Sequence, residues 1–249
     1  MGTKIVDQKT ADYWNKRGET YSISWQSVAK KRLSKLETDL IRRAVGLASK
    51  NSDGGRIKTL DIGVGIGRIS EAVLEHEVEH HGIDISQTMI DYCGEKFKGN
   101  DKVRQLAIHD IVNPLPEGWG KFDLVTAIRV LSYTPLWRKK LRNIYEAMSP
   151  GGVLVCTFPN KYSSILVPKT FLNRELQGNE ISCSELKKAI EKAGFSEYRI
   201  EGFSRLLDVF YDWCDSEFSA NVLFGIEKVL GSVFGPNLFA RLFYVTCKK

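Results

Sequence analysis

The stretch Thr59-Leu60-Asp61-Ile62-Gly63-Val64-Gly65-Ile66-Gly67-Arg68 constrains this chain more than any other. Ile57–Ile62 reads as a short apolar strand and Arg68–Glu75 as a helix, with three glycines at alternate positions between them. Glycine there lets the backbone turn at positive φ and approach a ligand closely. In open α/β sheets such loops lie at the carboxyl ends of the strands, where ligands bind. The spacing argues against a dinucleotide fingerprint, which needs a small residue at 68 where this chain has Arg68. Asp61, just before the glycines, would repel a phosphate and welcome a cationic amino group.

Alternation continues downstream. Val78–Ile83, Val103–Ile108, Phe122–Ile128 and Val153–Phe158 read as strands. Ser86–Phe97 and Leu136–Met148 read as helices, and Ser149-Pro150-Gly151-Gly152 as a turn. Strands alternating with helices predict a mostly parallel sheet with helices on both faces, an α/β Rossmann-like fold. Before the sheet, residues 10–18 and 26–49 read as two helices, so residues 1–50 are expected to form a helical arm or cap on a main domain of 51–249. Beyond it, 160–181 is irregular and Ser182–Ala193 is helical. Phe195–Phe203 and Leu238–Thr246 alternate like strands around a mainly helical insertion, 204–237.

Three acids fall at successive strand ends. Asp84 closes the second strand, where a carboxylate accepts both hydroxyls of an unphosphorylated ribose. Asp110 follows the third strand and could accept from the exocyclic amine of a purine, with Ile85, Met89 and Ile111 sandwiching the ring. With Asp61 they describe a ligand that joins an adenosine to a positively charged amino acid portion.

These residues resemble a known family. Asp61-Ile62-Gly63-Val64-Gly65-Ile66-Gly67 is similar to the first motif of class I S-adenosylmethionine-dependent methyltransferases, and Asp84 and Asp110 match that family's acidic positions. Phe122-Asp123-Leu124-Val125 and Met148-Ser149-Pro150-Gly151-Gly152-Val153-Leu154 resemble its later segments. Tyr13-Trp14 and Tyr21 look like the helix that small-molecule members fold over the cofactor. The resemblance implies a seven-stranded sheet with an antiparallel last strand. It implies S-adenosylmethionine as cofactor and S-adenosylhomocysteine as product. It assigns Gly63, Gly65, Gly67, Asp84, Ile85, Met89, Asp110 and Ile111 to the cofactor, with Asp61 on its methionine portion. Arg129 would offer backbone contacts at the sulfonium, and Tyr13 and Tyr21 would cap the site.

Composition narrows the class. Of 249 residues, 43% are hydrophobic and 27% charged, enough to bury a core. No uninterrupted apolar run is long enough for a membrane span, and the N-terminus does not read as a secretory signal. Five cysteines without C-x-x-C spacing, an odd number, speak against a disulfide framework or zinc site and fit a reducing cytoplasm. The net charge of +6 lies in residues 1–50, which hold 11 Lys/Arg and 5 Asp/Glu. That arm reads as a solvated helix face. An RNA- or protein-directed methyltransferase using Lys30, Lys31 and Arg32 is the alternative, and a non-catalytic nucleotide-binding protein is another.

Methyl transfer from a sulfonium needs alignment and a dry cavity more than a fixed catalytic group. The loop Ile128-Arg129-Val130-Leu131-Ser132-Tyr133 lacks the D/N/S-P-P-Y/F pattern of base N-methylation and the Pro-Cys pair of C5 methylation. Metal assistance, which would draw on Asp110 and Asp123, is not expected. The expected acceptor is a small, partly apolar molecule methylated on O, N or C: a natural product, sugar or lipid-like metabolite. Tyr133 is the candidate to orient it or act as base, with Tyr162, Phe171 and Phe210 as further substrate contacts. His109 reads as a surface or loop histidine. In the insertion, Leu206, Leu207, Val209, Phe210 and Trp213 recur at helical spacing, as do Val222, Leu223, Ile226, Val229, Leu230 and Val233. They read as a face packed on the core. A substrate lid formed with 160–181, and a membrane-surface helix, remain open. A monomer and a homodimer are both compatible.

Overall fold

The computed structural model describes residues 7–21, 25–50, 55–165, 179–206, 208–235 and 237–249. A seven-stranded sheet forms its centre. The strands are β1 (Ile57–Ile62), β2 (Val78–Asp84), β3 (Val103–Ile108), β4 (Phe122–Ala127), β5 (Met148–Pro159), β6 (Glu197–Phe203) and β7 (Leu242–Lys248). Their order is β3-β2-β1-β4-β5-β7-β6. The first five run parallel, and β7 is antiparallel to both neighbours, β5 and β6. The expected Rossmann-like topology is therefore present.

Both faces of the sheet are covered, which is why β1, β4 and β5 are almost continuously buried. On one face lie α2 (Val28–Ser49) and α3 (Arg68–Leu74), where Ile41, Val45 and Val73 pack on Ile57, Leu124 and Val155. On the other lie α5 (Trp137–Ala147) and α6 (Cys183–Ala193), where Leu141, Ile144, Leu186 and Ile190 pack on Leu60, Ile62 and Leu154. Helix α4 (Gln87–Lys96) starts at Ser86, whose hydroxyl accepts the Met89 N–H at 3.3 Å. Helix α1 (Gln8–Tyr21) lies against α4. The chain reverses its winding between β1 and β4, and that switch point opens a crevice at the strand ends.

Two expectations need correction. Ser149–Gly152 is not a turn between elements, because β5 begins at Met148 and runs through it. Met148 pairs with Phe122 and Val153 with Leu124, so the intervening residues bulge from an unbroken strand.

The insertion forms α7 (Asp208–Trp213) and α8 (Glu217–Phe234). Its expected apolar face is mostly not packed. Helix α8 buries Ala220, Leu223 and Glu227, whereas Val222, Ile226, Val229 and Val233 are exposed, as are Phe210 and Trp213 on α7. The cause is Glu227. Its carboxylate accepts the backbone N–H groups of Arg205 and Leu206 and, at 2.6 Å, the hydroxyl of fully buried Tyr211. Satisfying that buried carboxylate turns the aliphatic positions to solvent. Leu223 and Leu206 do join a cluster with Leu33 of α2, while Leu207 lies outside the described residues. Among the described residues, no helix is long and apolar enough to cross a membrane.

Candidate active site

The crevice at the switch point holds a cavity of about 680 Å³ including its open mouth. Its floor is Gly63 and Gly65, and its walls include Asp84, Ile85, Met89, Asp110, Ile111, Arg129 and Tyr133. Nine of the residues read from the sequence as cofactor contacts meet here, since Tyr21 lines it as well.

Asp84 is the best-defined group. It sits at the end of β2 and is buried. One carboxylate oxygen accepts the Gly65 N–H at 3.0 Å, and the other accepts the Ser86 N–H at 2.9 Å. A carboxylate offers about four acceptor positions, so these bonds do not exhaust it. Burial pushes its pKa up to about 6, against the pull of those backbone N–H groups.

Asp110 follows β3. Its Oδ1 accepts the Val112 N–H at 3.1 Å and lies 3.7 Å from the ammonium of Lys140. Lys140 lines the cavity and is buried, and burial lowers its pKa against the opposing pull of Asp110. A signal for it existed: Trp137, Lys140, Leu141 and Ile144 share the buried face of α5 at helical spacing. His109 stands in the loop after β3, as one of the two readings expected, but it lines the cavity and is buried rather than at the surface. The strand ends at Ile108, so side-chain alternation does not carry past it. Burial depresses the His109 pKa, and its Nε2 lies 3.3 Å from the Asn113 carbonyl.

Several expectations are corrected here. Asp61 does not line the cavity. Odd positions of β1 face the α2/α3 layer, and both Asp61 oxygens are taken at 2.7 Å, by Ser70 and by Thr126 hydroxyls. Burial raises its pKa in that closed setting. Gly67 also lies off the cavity. It begins α3 at φ 74°, and a Cβ there would stand 2.7 Å from the Phe97 ring. Tyr13 misses this cavity too. On α1, Thr10, Trp14 and Tyr21 share the inward face, with Tyr13 turned to an adjoining space. Tyr162 and Phe210 are exposed and line neither space, because the inner wall is built by α1, α2 and the strand ends. Phe171 lies outside the described residues.

The adjoining space, about 1510 Å³ including its opening, shares Trp14, Tyr21, Arg129 and Tyr133 with the first. Trp14 is the hinge of an aromatic cluster, edge-on to Tyr13, Tyr21 and Tyr133 at 5.2, 5.2 and 5.8 Å. Arg129, at the boundary, has a positive φ of 61° and donates its backbone N–H to Thr157 Oγ1 at 2.7 Å.

The support behind Arg129 was not foreseen. Glu37 of α2 is buried; its Oε1 accepts from Arg129 Nη2 at 2.9 Å and from Tyr244 Oη at 2.5 Å, and its Oε2 forms an ion pair with Arg68 Nη2 at 2.6 Å. Burial pushes the Glu37 pKa up, but Arg129 and Arg68 outweigh it and hold the group below the usual carboxylate range. Trp25 stacks beside both guanidinium groups, at 4.2 Å from Arg68 and 5.3 Å from Arg129. In the basic arm, Lys30 pairs with Asp212 at 3.3 Å and Arg32 with Glu217. Those cations thus tie α2 to the insertion.

A family model described as a methyltransferase domain matches residues 60–154, the span that carries the glycine loop, Asp84 and Asp110. That span is similar to a methyltransferase domain. The fold is that of proteins solved with S-adenosylmethionine or S-adenosylhomocysteine bound. Magnesium protoporphyrin IX methyltransferase from Synechocystis PCC 6803, solved with bound S-adenosylhomocysteine, superposes with a TM-score of 0.67 at 15% identity, covering 98% of this chain and 99% of that one. The cyclase SpnF superposes at 0.64 with 16% identity, covering 100% of this chain and 98% of its own. The fold thus also occurs in a protein with another name and activity. Among curated relatives, ubiquinone biosynthesis O-methyltransferase from Coxiella burnetii is 24% identical over 153 residues, 60% of this chain. The match spans 58% of that relative's length.

Proposed function

We propose that the protein transfers a methyl group from S-adenosylmethionine to O, N or C of a small, partly apolar acceptor. The observation that carries this reading is Asp84. It is a buried carboxylate at the cavity wall, held at the end of β2 by backbone N–H groups on both of its oxygens. Such a group suits the paired hydroxyls of a ribose. Asp110 suits an adenine amine, with Ile85, Met89 and Ile111 as apolar walls. The sulfonium supplies a methyl carbon open to in-line displacement.

The chain's own part is alignment and exclusion of water. Trp14, Tyr21 and Tyr133 border both spaces, so an acceptor in the larger one abuts the cofactor. Tyr133 is the group we assign to orienting the acceptor or taking its proton. Glu180, and Asp212 from the insertion, line the acceptor space, which supports 160–181 and 204–237 as substrate segments. The relative named an O-methyltransferase favours an oxygen acceptor.

Calorimetric titration with S-adenosylmethionine, S-adenosylhomocysteine and NADH tests the reading. Micromolar binding of the first two alone is expected, and binding of NADH, or of none, sinks it. Release of S-adenosylhomocysteine across phenol, amine and carboxylic acid panels then locates the acceptor.

Gly63 gives a local test of the same cavity. Its φ is 74°, and a Cβ there would stand 2.2 Å from Val130 Cγ2. Gly63→Ala should weaken S-adenosylhomocysteine binding by about tenfold or more, roughly 1.4 kcal/mol. Adding Val130→Ala should restore only the part due to the clash, because the left-handed backbone still costs an alanine about 1–2 kcal/mol. Unchanged binding in the single variant would mean that the loop does not approach the cofactor.

A further inference from the structure

The acceptor space is built for charge as well as for rings. Arg17 of α1, Lys30 of α2, Arg129 after β4 and Arg241 before β7 come from four separate elements to line it. The carboxylates lining it are Glu180 and Asp212. Behind the wall, Arg68 and Arg129 share the single carboxylate of Glu37. Among the described residues, five cations thus surround or back this space against three carboxylates. Lys30 and Arg129 keep carboxylate partners of their own, so the excess belongs to the group as a whole.

Gathering like charges beside aromatic walls is unfavourable until an anion joins them, and a cleft lined by one sign concentrates ions of the other. Tyr13, Trp14, Tyr21, Trp25 and Tyr133 line the same space, with Arg17 over the Tyr13 ring and Lys30 and Arg129 over Trp25. Rings set edge to face leave flat surfaces for a planar partner. Guanidinium forks match the oxygens of carboxylate and phosphate.

We propose that the acceptor is a planar, largely aromatic molecule that carries an anionic oxyacid group, carboxylate or phosphate, held on the Lys30–Arg241 side while its ring lies against the Trp14 cluster. This rests on the methyltransferase reading for the identity of the occupant. The charge preference is a property of the pocket itself. The wall common to both spaces points the ring end toward the cofactor and leaves the anion at the far side, where Lys30 and Arg241 line the second space alone.

The test uses three probes, phenol, 4-hydroxybenzoate and phenyl phosphate. Each is titrated calorimetrically into the full chain with and without saturating S-adenosylhomocysteine. At least one anionic probe should bind tenfold or more tighter than phenol, and the better of the two identifies the oxyacid. In the double variant Lys30→Met/Arg241→Gln the preference should fall below threefold, with S-adenosylhomocysteine affinity unchanged. The single variant Lys30→Met, which gives up one ion pair, to Asp212, should show part of the loss, and far-ultraviolet circular dichroism of both variants guards against a folding defect. Equal binding of phenol and the anions overturns the proposal, as does a preference that survives the double variant, or no binding of any probe at millimolar concentration. Failure of S-adenosylhomocysteine to bind overturns the cofactor reading instead, and the unloaded titrations still report the charge preference.

Discussion

Asp84→Ala should abolish measurable cofactor binding while the protein remains folded. Two charge-assisted hydrogen bonds are lost, each about 1.5–3 kcal/mol, which amounts to about 100-fold or more in affinity. The backbone N–H of Gly65 and of Ser86 also lose their acceptor, so the glycine loop is freed at the same time. Titration of S-adenosylhomocysteine measures the first effect and far-ultraviolet circular dichroism checks the fold. A mutant that binds as well as the wild type would remove the ribose role. The same carboxylate sets a pH dependence. Its pKa in the free protein is pushed up to about 6 by burial. Hydroxyl donors favour the ionised form, so affinity should be level above that pH and should fall below it, approaching about tenfold per pH unit. A flat profile from pH 5 to 8 would mean that the cofactor does not engage Asp84.

Loss of Glu37 should be the most destabilising single change near the site. Glu37→Leu leaves the guanidinium groups of Arg68 and Arg129 uncompensated beside Trp25, and removes the acceptor of Tyr244. Breaking a buried pair in this way costs about 3–5 kcal/mol. At about 2–4 °C per kcal/mol for a chain of this size, the melting temperature should fall by about 6–20 °C. Glu37→Gln, which keeps an acceptor without the charge, should fall between. Arg68→Met added to Glu37→Leu should recover part of the loss, since one stranded cation is removed. The folded pKa of Glu37 lies below its ordinary 4.5. Its contribution is therefore complete above 4.5 and is lost as pH falls through the lower, folded value. Thermal melts of the wild type and Glu37→Gln should converge in acid. Curves that stay parallel down to pH 3 would deny the carboxylate its role.

What could be read from the sequence was local. The strand, glycine loop and helix of residues 57–75 are contiguous, and their chemistry is written in one short segment. Asp84 and Asp110 were legible because a strand end is a place the chain itself announces. Asp61 misled for the same reason. Nearness to the glycines suggested a ligand contact, but side-chain alternation in β1 turns it to Ser70 and Thr126. Glu37 and Trp25 were illegible because their partners lie at 68, 129 and 244, brought together by tertiary packing alone. Helix α8 was misread because its aliphatic positions recur at helical spacing while its buried side is held by Glu227, a residue that composition assigns to solvent.

Helix α1 carries a consequence for donor and acceptor together. Asn15 latches it to α4, accepting the Ser86 hydroxyl at 2.8 Å, and its backbone carbonyl accepts the Thr88 hydroxyl at 3.2 Å. Gly18 lets the two helices touch, since a Cβ there would stand 2.6 Å from Thr88 Cγ2. The face so latched roofs the cofactor cavity with Thr10, Trp14 and Tyr21, and two of those three also wall the acceptor space. On the proposed function, donor and acceptor therefore share one door. An acceptor seated against Trp14 and Tyr21 holds that door shut. The helix that covers the methyl donor is then braced by the molecule that receives the methyl group, through the same two rings.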